Sequence, residues 1–369
     1  MNATVPANVI AARAEVGSSD YYALGFLTLS IASYYAVDNA TPLAQTISGI
    51  QSQFSNPGTW QLDWGPGVSS HNANLLYFAS YRDQESGLPI FGAVVLRGTD
   101  IHTGLFGILT QLKEDLGGGT QVSWPSGDAL IAEGTYNGMN EMMSLVGPSS
   151  SGTQQTLTEF LGDFLPQFPG MPLVVTGHSL GGCLTSAVAL NLASQPVCNG
   201  VTIVPVTFAA PTAGNQAYVN LYTKTFPSCK RWYNDWDLVP LAFVGIDMMY
   251  EMWGMGVYNK NPLPYGSCNA PCGANPAAAF NELKKIIGSD QYVHEMGSFE
   301  RTLSGRCLAT STSTATSTAS SEDENWYSEL LLQHLPACGY WTLMTKQYGS
   351  SLGPVTYPSW APPLTCTGA

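Results

Sequence analysis

Residues 172–182 read Pro-Leu-Val-Val-Thr-Gly-His-Ser-Leu-Gly-Gly, and this segment constrains the fold more tightly than any other. A short, continuous apolar run is what a parallel strand buried on both faces shows. It enters a turn in which Gly177 and Gly181 flank Ser179 at two residues on either side. Beyond the turn, Leu184, Ala187, Val188 and Leu192 recur at helical spacing. The bare Gly-x-Ser-x-Gly pattern arises by chance about 0.3 times in a chain of this composition, so the strand before it and the helix after it carry the weight. Residues 201–208 read as a second buried strand and 230–234 as a third. Strand, helix and strand in this rhythm predict a parallel sheet with right-handed crossovers. Upstream, 75–82 and 90–97 read as strands joined by a polar turn. Residues 20–38 read as a buried helix with Asp20 at its N-cap. Further helices are expected near 130–145 and 153–165.

A serine hydroxyl is a weak nucleophile until a base takes its proton, and it must stand clear of the sheet to meet a carbonyl. A tight strand-to-helix turn meets both demands, which makes Ser179 the candidate nucleophile. The helix start behind it favours negative charge, so the Leu180 amide is a candidate oxyanion donor. Thr99, just past the strand ending at Arg97, is the candidate second donor. In a strand–turn–helix hydrolase the acid follows the serine and the histidine follows the acid. Asp237 is favoured as the acid over its neighbour Asp235. Only His294 and His334 lie beyond them, and spacing alone leaves that choice open. His178, inside the turn itself, reads as structural.

Composition narrows the partners. The chain has 369 residues, 44% apolar and only 11% charged, enough to build a large core. Its net charge of -13 argues against nucleic acid, which needs clustered positive charge. No apolar stretch is long enough to span a bilayer, and residues 1–20 lack a basic start with an apolar run behind it. The 8 cysteines are few for a disulfide scaffold and many for a cytosolic enzyme, which favours disulfide bonds and a secreted location. The spacing of Cys268 and Cys272 is weak for a metal site, and a disulfide or two thiols is expected there. No internal repeat is found, so residues 1–369 are expected to form one domain. Residues 101–127 read as a mobile surface segment, holding the apolar run of Leu105, Phe106, Ile108 and Leu109. Residues 309–321 read as a Ser/Thr-rich flexible loop.

Four motifs resemble the class 3 lipase family, the fungal-type triacylglycerol lipases of the α/β-hydrolase fold. Val94–Asp100 (VVLRGTD) resembles the family's oxyanion strand, and Glu133–Tyr136 its Gly-aromatic helix start. Val174–Gly182 is similar to its serine turn. Phe208–Tyr218 (FAAPTAGNQAY) with Asp237–Pro240 (DLVP) resembles its sixth strand and acid loop. The resemblance implies a mostly parallel sheet flanked by helices and a triad of Ser179, Asp237 and His334. It also implies an oxyanion hole of Thr99 and Leu180. His334, followed by Tyr340 and Trp341, fits the family's habit near the C-terminus; the long spacing from the acid departs from it and keeps His294 as the fallback. A lid follows the oxyanion strand in the family, and residues 101–111 occupy that place. Leu105, Phe106, Ile108 and Leu109 are the expected lid and acyl-pocket residues, with the Met- and Trp-rich stretch 248–258 as further lining. The implied activity is a serine carboxylic-ester hydrolase acting on lipid esters, with transient contact at a lipid–water interface and no cofactor or metal. Phospholipid, galactolipid, polyester and feruloyl esters are the alternative substrates, and a non-catalytic hydrolase-like binding protein is the remaining reading. The oligomeric state is open.

Overall fold

The structure is a computed structural model describing residues 5–35, 40–70, 74–97, 120–237, 239–241, 292–293, 299–304, 307–309, 333–361 and 366–368. Three helices come first: α1 (Ala7–Ser18), α2 (Ala23–Tyr35) and α3 (Ala40–Ser48). They are followed by β1 (Gly58–Val68), β2 (Leu75–Asp83) and β3 (Pro89–Arg97), two antiparallel pairings in sequence. A short hairpin, β4 (Gln121–Ser123) with β5 (Leu130–Ala132), leads into helix α4 (Glu133–Ser144). A second hairpin, β6 (Val146–Pro148) with β7 (Gln154–Thr156), leads into α5 (Leu157–Phe164). Thr156 and Glu159 close a capping box at the start of α5, satisfying amides that a helix start leaves unpaired. The centre of the sheet follows: β8 (Leu173–His178), α6 (Leu180–Ser194), β9 (Ile203–Phe208), α7 (Gln216–Thr225), β10 (Lys230–Asn234) and β11 (Phe299–Leu303). A small pair, β12 (Cys307–Ala309) with β13 (Cys366–Gly368), brackets a π-helix (Pro336–Thr342) and helix α8 (Leu343–Tyr348).

The main sheet has 7 strands in the order β1-β2-β3-β8-β9-β10-β11, parallel from β3 onward. The period-2 alternation of strand side chains divides the core into two layers. Val94, Leu96, Leu173 and Val175 pack with α4, α5 and α6. Val95, Val174 and Val206 face the other way, onto α1 and α2. Every position of β8 is buried, because helices cover both faces. This is the α/β-hydrolase architecture that the motifs implied. No helix among the described residues is long and apolar enough to cross a membrane.

Several local expectations are corrected. Asp20 does not cap α2, which begins at Ala23. Its carboxylate is drawn instead to the sheet, 2.6 Å from Arg301 Nε and 3.9 Å from Lys230 Nζ. The helices expected near 130–145 and 153–165 each begin later, because Leu130–Ala132 and Gln154–Thr156 pair as strands. Of the segment 101–127, the described residues 120–127 hold strand β4 and the start of the turn after it. Strand β1 and helix α1 carried no clear sequence signal; β1 contains Gly65, Pro66 and Gly67, which ordinarily break a strand. Cys183, Cys198 and Cys229 are buried thiols, burial pushing Cys198 up to about 11, whereas Cys338 is disulfide-bonded.

Lys230 is 4% exposed at the start of β10, with Nζ 3.3 Å from the Val16 carbonyl. Burial lowers its pKa from 10.5 to about 8, the nearby Asp20 carboxylate opposing the shift. Between those values the unfolded chain binds more protons than the folded one, so this group makes stability rise with pH. By urea unfolding, the stability of wild type relative to Lys230→Met is expected to increase from pH 8 to pH 10. A flat or falling difference contradicts the account.

Candidate active site

Strand β8 ends at His178 and α6 begins at Leu180, so the reversal falls on Ser179 alone. Its backbone adopts φ 58° and ψ -130°, a left-handed conformation that costs a non-glycine residue roughly 1–3 kcal/mol. The surroundings hold it there. The Ser179 amide donates to the Phe208 carbonyl at 2.9 Å, and the Cys183 amide donates to the Ser179 carbonyl at 3.1 Å. A Cβ on Gly177 would overlap the backbone of Gly181, and one on Gly182 would press to 2.9 Å from the Ala210 Cβ. The glycines therefore let strand and helix approach closely enough to make the turn.

Three side chains, each at most 1% exposed, meet at this turn. The Ser179 hydroxyl lies 2.9 Å from His334 Nε2. On the other side of the ring, Nδ1 lies 2.9 Å from Asp237 Oδ2 and 3.1 Å from Oδ1. A buried carboxylate is costly unless donors surround it. Asp237 has two besides the imidazole. The Tyr340 hydroxyl donates at 2.6 Å, short as a charge-assisted bond is, and the Val239 amide donates at 3.0 Å. Burial, then the adjacent Asp237 charge, raises the Tyr340 pKa well above its ordinary value, keeping it a donor. Asp235, the rival acid, is exposed, and its amide bonds to the Leu303 carbonyl.

Asp237 sits just past the end of β10, in a turn closed by its amide donating to the Asn234 carbonyl. His334 comes from just before the π-helix. Buried Asn234 joins the two segments, its Nδ2 lying 3.3 Å from both the backbone and side-chain oxygens of Gln333. Asn234, Gln333 and the role of Tyr340 were not found from sequence; each is an uncharged residue whose partner lies about a hundred positions away. Leu180 is the first residue of α6, where amides have no intrahelical carbonyl to meet. Thr99, Leu105, Phe106, Ile108, Leu109, the stretch 248–258, His294 and the Ser/Thr run after Ala309 lie outside the described residues.

A family model, Lipase (class 3), matches residues 93–245, from mid-β3 through the acid turn. Over these residues the chain is similar to the class 3 lipase family. Among solved structures, M37 lipase is similar at TM-score 0.65 and 20% identity, over 86% of this chain and 91% of that one, a likeness of fold. The triacylglyceride lipase of Rhizomucor miehei aligns at TM-score 0.40 and 19% identity, over 59% of this chain and 72% of that one. Lipase II from Rhizopus niveus aligns at TM-score 0.39 and 15% identity, over 64% of this chain and 75% of that one.

Removing the Tyr340 phenol leaves the buried Asp237 carboxyl group short of one donor. Tyr340→Phe is expected to lower kcat for ester hydrolysis about tenfold with KM nearly unchanged. Steady-state kinetics on a soluble ester check this; an unaltered kcat contradicts a supporting role for that hydroxyl.

Proposed function

We propose that this protein hydrolyses lipid esters by acyl transfer, with Ser179 as nucleophile, His334 as general base and acid, and Asp237 as the group that orients the imidazole. The observation that carries the reading is the unbroken chain of contacts from Ser179 Oγ through both ring nitrogens of His334 to the Asp237 carboxylate, each 2.9 Å at its shortest. The serine proton passes to Nε2 as Oγ attacks the ester carbonyl. The imidazolium so formed is stabilised by Asp237, to which Tyr340 and Val239 also donate. Charge developing on the carbonyl oxygen is met by the Leu180 amide, backed by the α6 dipole, and by Thr99. His334 then protonates the departing alcohol, leaving an acyl-serine, and the cycle repeats with water to release the acid.

Ser179 is 1% exposed, which supports a cover that must open before an ester can enter. Residues 101–111, with Leu105, Phe106, Ile108 and Leu109, are the proposed cover, opening at a lipid surface.

Ser179→Ala is expected to abolish hydrolysis with the melting temperature preserved. His334→Ala is expected to reduce kcat on the order of 10⁴ to 10⁶-fold, with His294→Ala retaining activity. If the His294 variant is the dead one, the base is misassigned. Replacing Leu105 and Phe106 by serine is expected to weaken hydrolysis of emulsified long-chain triglyceride more than of a soluble short-chain ester. Equal losses on both substrates contradict the cover and its lipid-facing role.

A further inference from the structure

We propose that His178 is a positioning residue for His334, fixing the peptide that carries the imidazole and itself held in one tautomer by Tyr34. The inference rests on the triad reading above.

His178 lies in the last position of β8, wholly buried, one residue before Ser179. Its Nε2 is 2.8 Å from the backbone oxygen of His334. A carbonyl oxygen only accepts, so Nε2 carries the proton. The ring is neutral, because burial and then the neighbouring His334 hold its pKa well below the ordinary histidine value. Nδ1 is therefore an acceptor, and the Tyr34 hydroxyl faces it at 3.3 Å, shared with the His178 carbonyl at the same distance. The ring is wedged between Tyr34 (centroids 5.9 Å), Tyr340 (5.6 Å) and His334 itself (4.8 Å).

The consequence is mechanical. The ring of His334 must serve Ser179 on one nitrogen and Asp237 on the other, and such a bridge tolerates little displacement. Asp237 fixes the ring from its Nδ1 side, and His178 fixes the main chain from which the ring hangs. The donor comes from the serine turn, so nucleophile and base are tied to the same short piece of backbone. The tautomer is set from α2, outside the family-matched segment.

The test uses two substitutions of similar size that place an amide differently. Glutamine puts its –NH2 near the position of Nε2, whereas asparagine puts it near Nδ1. His178→Gln is expected to keep kcat within about threefold of wild type, and His178→Asn to lose at least about thirtyfold, with KM within about twofold for both. Melting temperatures identify any loss that is only destabilisation. Tyr34→Phe keeps the ring in place and frees the tautomer, and is expected to lower kcat several-fold at unchanged KM. Equal kcat for the Gln and Asn variants, or a wild-type kcat in Tyr34→Phe, overturns the proposal. Ser179→Ala measured alongside separates the two readings, because hydrolysis surviving in that variant refutes the triad itself.

Discussion

Ser179 is forced to positive φ because strand β8 and helix α6 pack too closely for any gentler reversal, and the packing succeeds only with glycines at 177 and 182. The rest of the molecule is arranged around that unfavourable torsion. The strain is offset by burial on every side: β8 is covered by α2 on one face and by α6 on the other. The same turn lifts a hydroxyl off the sheet and aims a helix N-terminus at the space beside it. Neither consequence needs a further residue, which is why so short a segment dictates so much of the molecule.

Around that hydroxyl, protein groups take the place of water about a buried charge. Asp237 has 1% exposure and three sources of hydrogen bonds, from a ring nitrogen, a phenol and an amide. Two of these donors are anchored in turn. Tyr340 also accepts from the Asn234 amide, and the Gln333 backbone next to His334 is bonded to the Asn234 side chain. Fixed dipoles in a dry pocket stabilise an imidazolium without reorganisation, and this is where most of the rate gain of acyl-transfer enzymes arises. The requirement that every buried donor and acceptor be matched also links distant parts of the chain, from Tyr34 on α2 to Tyr340 in the π-helix.

What the sequence made legible follows from how local each signal is. The serine turn, its strand and its helix are contiguous, and their apolar periods identify them without any knowledge of the rest. Spacing gives Asp237 only a preference over Asp235 and the family resemblance strengthens it; of the two, Asp237 is buried and Asp235 exposed. His334 rests on resemblance, and its ring nitrogens lie 2.9 Å from Ser179 Oγ and from Asp237 Oδ2. By contrast, β1 was hidden by Gly65, Pro66 and Gly67, and the short strands β5 and β7 by the helical periodicity immediately after them. The local context of Asp20 permits a cap, yet the cations at 230 and 301 compete for it from elsewhere in the chain. Tyr34, Asn234 and Gln333 left no trace, since an isolated polar residue in an apolar segment does not announce its partner.

The central claim is that one serine, activated by one imidazole, carries the chemistry. Reaction of the native protein with a fluorophosphonate, followed by intact-mass and peptide analysis, tests it most directly. The account predicts a single adduct, on the peptide containing Ser179, formed in wild type and slowed by about a hundredfold or more in His334→Ala. No adduct, an adduct on another residue, or labelling of Ser179 that is indifferent to His334 would contradict it.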